Sequence, residues 1–97
     1  MYIEAILVNM TRSERRTAKR TILVRELELR WHGRKVLAVC KYPLAFRLNV
    51  FDVGDTLALW LTARTEEYRS ELSGELEYFT ENYVVDLSLE RSTLFGE

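Results

Sequence analysis

The sequence predicts a small all-β domain whose strands close into a five-stranded barrel. Three observations carry this reading. Apolar residues alternate at period two in five separate stretches, turn signals fall between those stretches, and 97 residues leave room for one core and no second one. Hydrophobic residues make up 47% of the chain and charged residues 30%, the balance of a folded chain and not of a disordered one. One proline and four glycines are too few for a linker, and no internal repeat or low-complexity tract is present.

Tyr2 to Asn9 reads as the first strand, with Ile3, Ala5 and Leu7 on one face and Ile6 and Val8 on the other. Met10 to Lys19 is polar, loses the alternation and reads as a loop. Arg20 to Trp31 is the second strand. Leu23, Leu27, Leu29 and Trp31 share a face that Arg25 interrupts, and a bulge at Arg25 would restore it. His32-Gly33-Arg34 is a tight turn into the third strand, Lys35 to Tyr42, which Pro43 ends because proline cannot donate to a ladder. Leu44 to Asp52 is short and mixed, either one helical turn or an irregular crossing. Val53-Gly54-Asp55 launches the fourth strand, Thr56 to Arg64, with Leu57, Leu59, Leu61 and Ala63 inward and Trp60 outward.

Residues 65–83 carry two patterns. Tyr68, Leu72, Leu76, Phe79 and Tyr83 sit near helical spacing, and Thr65 is a candidate N-cap. Ser73-Gly74 in the middle argues instead for the tip of a long β-hairpin, because glycine weakens a helix interior. The hairpin is the preferred reading, with Phe79 inward, and a short helix at 65–81 is the alternative. Tyr83, Val85, Leu87 and Leu89 then alternate, so Val84 to Glu90 is strand in both cases. Five strands joined in this way suggest one OB-type barrel spanning residues 1–97.

The apolar runs, such as Leu57 to Leu61, are far short of the roughly 20 residues a membrane helix needs. No membrane association is expected. The start at Tyr2-Ile3-Glu4 lacks the layout of a signal peptide, and the single cysteine, Cys40, has no disulfide partner in the chain, so the expected location is cytoplasmic. The net charge of −1 conceals an asymmetry. Residues 1–50 hold eleven Lys/Arg and four acids, a net of +7, whereas residues 51–97 hold three and eleven, a net of −8. Such a split suits a polyanion-binding side or self-complementary association, unless the fold interleaves the halves and cancels both fields.

Two stretches carry a family resemblance. Gly54-Asp55-Thr56-Leu57-Ala58-Leu59-Trp60-Leu61-Thr62-Ala63-Arg64-Thr65-Glu66-Glu67-Tyr68 resembles the fourth strand of bacterial single-stranded-DNA-binding proteins: a glycine launch, alternating aliphatics, then Arg-Thr and an aromatic three residues on. Gly74 to Asp86, with Tyr78, Thr80-Glu81 and Val84-Val85 in order, resembles that family's next strand. Primosomal OB-fold subunits carry similar motifs, and the two matches cover about a third of the chain. The resemblance implies an OB fold that binds single-stranded DNA without sequence preference, with Tyr68 stacking on a base and Arg64-Thr65 opening the hairpin. The sequence departs from that family at Glu66 and Glu67, where it carries basic residues, and at Leu61, where it has a glycine. The family's Gly/Pro/Gln-rich acidic tail has no counterpart here, so its recruiting role is not expected.

The expected function is therefore a non-catalytic module for single-stranded DNA or RNA. Arg12, Arg15, Arg16, Lys19 and Arg20, in the loop after the first strand, and Arg64 would hold phosphates, while Trp60 and Tyr68 would stack on bases. The plainer explanation of the basic cluster is a solvated loop. Trp31 falls with the apolar side and suits the core. Cys40 reads as a small buried hydrophobe and His32 as an exposed turn residue; with one of each, no zinc site is expected, and no catalytic motif links them. Neither an enzyme activity nor a cofactor is expected. A homo-oligomer, dimer or tetramer, is expected through barrel edges. The rival reading is a protein-interaction OB module, an accessory subunit of a replication or defence complex whose acidic half meets a basic protein partner.

Overall fold

Strand β1 (Tyr2–Arg16) pairs with two neighbours, and this closes the sheet. Its first part, Tyr2 to Ile6, runs antiparallel to β4 (Thr56–Arg69), and the remainder, from Ile6 to Arg16, runs antiparallel to β2 (Thr21–Trp31). A bulge between Leu7 and Asn9 marks the change of partner. The extra residue resets the alternation, so that Ile3, Ala5 and Leu7 face the core before it and Met10 packs there after it. β2 continues into β3 (Arg34–Lys41), and β4 into β5 (Leu76–Leu87). The order round the closed barrel is β1-β2-β3-β5-β4, with β3 and β5 parallel. This is the five-stranded OB-type barrel that the strand pattern predicts. The computed structural model describes residues 1–16, 19–69 and 72–89, with backbone alone at 66–69, Glu77 and Phe79.

The core is aliphatic, as period-two alternation demands. Ile3, Leu7, Leu27, Leu29, Leu57 and Leu59 are wholly enclosed, and Cys40 lies among them. A 3-10 helix, Leu44–Val50, fills the mixed segment after β3 and sends Ala45 and Leu48 into the same core, followed by Phe51. The β2–β3 turn has two central residues, His32 at φ 49° and Gly33 at φ 73°. Positive φ at both positions is what the right-handed twist of a two-residue hairpin requires, and glycine supplies the second at no steric cost. Trp31 is half-buried against the core, as expected.

Several sequence expectations need correction. The polar stretch after Asn9 is not a loop for most of its length, because β2 supplies a continuous ladder from Met10↔Leu27 to Arg16↔Thr21. Polar residues are stable in a strand whose backbone is paired and whose faces are wet. No bulge occurs at Arg25 in either ladder. Arg25 keeps its inward phase, is 8% exposed, and donates from Nε to Tyr42 Oη at 3.1 Å and from Nη2 to Asn49 Oδ1 at 2.8 Å. A buried guanidinium is tolerated because its donors are satisfied.

The alternative of a helix at 65–81 is also set aside: β4 and β5 pair from Arg69↔Leu76 up to Leu59↔Leu87 around a tip where Gly74 takes φ 71°. Long-range pairing wins over the local helical spacing. Finally, a register shift in this ladder, between Trp60 and Leu61, puts Val84 and Leu87 in the core and leaves Val85 and Leu89 exposed. The side chain of Phe79, expected inward, lies outside the described residues; its neighbour Tyr78 is exposed.

This register makes a test of faces. Leu29→Ala, at a wholly enclosed site, should lower stability by about 2–5 kcal/mol in urea unfolding. Leu37→Ala, on the opposite side of the neighbouring strand and 59% exposed, should change it by no more than about 0.5 kcal/mol.

Candidate functional site

The outward faces of β2, β3 and β5 carry a second, smaller apolar cluster of Val24, Val39 and Tyr83, with Ile22 against it. Beside it runs a groove of about 600 Å³, walled by Asn9, Thr11 and Arg15 of β1 and by Thr80, Glu81 and Asn82 of β5, with β2 and β3 as its floor. One ion pair joins the walls: Arg15 Nη1 donates to both carboxylate oxygens of Glu81, each at 2.7 Å, while Nη2 reaches Glu26 at 3.2 Å. Tyr83 donates its hydroxyl to Glu81 at 3.3 Å. Burial alone would loosen the Arg15 proton; the two carboxylates outweigh it and hold the group above the ordinary arginine value. The groove's other cation, Lys35, stands 3.6 Å from Glu28. Both groove cations are thus engaged by carboxylates of the same groove.

The remaining sequence-predicted residues lie outside this groove or outside the described side chains. Arg12 and Arg20 line a shallow hollow of about 420 Å³ with Ile22, Leu23, Tyr42 and Phe46. Arg16 ends β1 and Lys19 follows it, both exposed, so the basic cluster belongs to the β1–β2 hairpin and mostly to its strand. Trp60 is outward and 39% exposed, as its alternation predicts, but it lines neither hollow. Its ring lies 4.7 Å from that of Tyr2, its ladder partner. Arg64 lies four residues further along β4, roughly 13 Å at strand rise, with its guanidinium 5.6 Å from the centre of the Tyr83 ring. The Tyr68 side chain lies outside the described residues. The fold therefore brings Arg12 and Arg20 together and keeps Trp60 apart from them.

Sequence reasoning missed Glu81, Lys41 and Tyr83. Glu81 enters the sequence reading only within the Thr80-Glu81 pair of the resemblance, and its pairing with Arg15 spans 66 residues. Period-two alternation puts Tyr83 on one face with Val85 and Leu87, which the register shift in the β4–β5 ladder breaks up. No local spacing signals either contact.

Cys40 is wholly enclosed, and burial pushes its thiol up to about 11, against a smaller opposing pull from Arg25. His32 is exposed in its turn with its ring 4.8 Å from that of Trp31. Among the described residues, no three His, Cys, Asp or Glu side chains cluster as metal ligands would.

Two outcomes follow. Glu81→Gln should cost about 1 kcal/mol and speed amide hydrogen exchange in the second half of β1, because that half loses the Arg15 tie to β5. Cys40 should resist a thiol reagent at pH 8 in the folded protein and react at once in urea. Because its folded pKa lies above the unfolded one, the bound proton favours the folded state at intermediate pH. Stability should therefore fall as pH rises from about 9 towards 11. No family model, curated protein or solved structure matches the chain.

Proposed function

We propose that the chain is a non-catalytic OB-type module that binds single-stranded nucleic acid, DNA in the first instance. The observation that carries this reading is the barrel itself, with its groove beside β2 and β3 and a basic hairpin at the rim. Barrels of this type take oligonucleotides on that face and on the loop between the first two strands. Arg12, Arg16, Lys19 and Arg20 supply the phosphate-seeking charge of the hairpin. Trp60 and Tyr2 offer aromatic surface for bases on a separate part of the barrel. The resemblance of Gly54 to Tyr68 to single-stranded-DNA-binding proteins points the same way. Self-association into a dimer or tetramer belongs to the same proposal: among the described residues the β3–β5 ladder is short, pairing Ala38 with Asn82 and Val39 with Tyr83, and it is the seam of the barrel with the fewest paired residues.

A second reading has its own observation. Arg15 and Lys35 are already engaged by Glu81, Glu26 and Glu28 inside the groove, which suits a protein-interaction module, an accessory subunit of a replication or defence complex, better than a polyanion site there.

Fluorescence anisotropy of a labelled 30-nucleotide poly-dT strand separates the two. On the nucleic-acid reading it binds at low salt, weakens as salt rises, and quenches tryptophan emission. The pair Arg12→Glu and Arg20→Glu, which line a hollow that excludes Arg15, should then abolish binding while leaving the melting temperature within a few degrees of the parent. A flat titration at low salt sinks this reading and leaves the protein-partner one.

A further inference from the structure

The described cations differ in what holds them. Arg15, Lys35 and Arg47 each face a carboxylate, the last at 3.0 Å from Asp86. Arg25 is buried among neutral acceptors. Lys41 and Arg64 are held by an aromatic ring instead. Lys41 Nζ stands 4.8 Å from the centroid of Tyr83 and Arg64 Cζ stands 5.6 Å from it. The two cations come from different strands, the end of β3 and the middle of β4, and converge on one residue of β5. Tyr83 is only 7% exposed and is packed with Val24 and Val39, so the ring is a fixed platform.

A ring quadrupole attracts a cation without cancelling its charge. Among the described residues no carboxylate lies in salt-bridge range of Lys41 or Arg64. The nearby acid, Glu81, accepts from Tyr83 and turns both of its oxygens to Arg15. Two positive charges thus meet at one ring, Lys41 half-buried and Arg64 exposed, with Glu81, the ladder partner of Arg64, committed to Arg15. Their long side chains are already ordered by the ring, which lowers the entropy lost on binding.

We propose that Lys41 and Arg64, positioned by Tyr83, form a phosphate subsite that grips the backbone of a single strand. This deepens the nucleic-acid reading and rests on it. It adds to the hairpin cations a second phosphate contact at the junction of β3, β4 and β5, outside the groove whose cations carboxylates hold.

The test is the salt dependence of poly-dT binding, read by anisotropy, for the parent protein, Lys41→Gln, Arg64→Gln and the double variant. Each lost phosphate contact should reduce the slope of log affinity against log salt by about 0.7, and the double variant should lose about twice that. Arg64→Lys should keep the slope. Arg47→Gln, which removes a charge on the 3-10 helix, is the control and should also keep it. Thermal melts establish that each variant is folded. Unchanged slopes in both glutamine variants overturn the subsite and leave the nucleic-acid reading standing.

If the parent protein does not bind poly-dT, that reading fails, and a titration with inorganic tripolyphosphate followed by NMR decides the subsite alone. Saturable shifts at the Lys41, Arg64 and Tyr83 amides, lost in the double variant, support a site for phosphate anions. Their absence overturns it.

Discussion

Closure of the barrel rests on the double duty of β1. A sheet of five short strands has two edges, and a strand that serves both must change partner partway along. Tyr2 to Ile6 satisfies β4, Ile6 to Arg16 satisfies β2, and the bulge after Leu7 absorbs the bend between them. Gly54 donates to the Leu7 carbonyl at 2.8 Å and Leu7 donates to Asp55 at 2.9 Å, so the turn that launches β4 is fastened at that bend. The inward phase on both sides of the bulge places Ile3, Leu7 and Met10 on one core. Without the bulge, one half of β1 would present its apolar residues to water.

Closure also settles the charge asymmetry. The two halves of the chain carry opposite charge, +7 and −8, but the fold interleaves their strands. Arg15 meets Glu81 and Arg47 meets Asp86, each pair joining a basic first half to an acidic second half. Much of the segregation along the sequence is therefore cancelled in space. A pair of cations, Lys41 and Arg64, instead has a ring as partner.

This distinction matters for function. An arginine whose fork is filled by a carboxylate offers little to a phosphate until that carboxylate leaves, whereas a cation on an aromatic face keeps its charge. The groove between β1 and β5 is thus the less attractive place for a polyanion, and the β3–β4–β5 junction the more attractive one. Volume marks where a ligand fits; uncompensated charge marks where an anion is held.

The five strands, the inward Leu27 and Leu29 of β2 and Leu57, Leu59 and Leu61 of β4, the outward Trp60, the buried Cys40 and the exposed His32 turn were legible in the sequence, whereas Leu23, grouped with Leu27 by alternation, is exposed and Val24 is buried in its place. Each follows from a period of two or from residues a few positions apart. The hairpin at 65–83 was legible only as the better of two local patterns, and pairing with β4 decided it. The length of β1, the inward Arg25 and the phase of β5 were not legible. They depend on a ladder partner, on acceptors at Tyr42 and Asn49, and on a register shift in a distant strand. The candidate site divides in the same way. The sequence order placed the basic cluster after the first strand, as a loop that the structure makes mostly strand, but the partner of each cation was decided by tertiary structure. The physical reason is that Arg15–Glu81 and Lys41–Tyr83–Arg64 are contacts across long sequence separations, where side-chain periodicity carries no information.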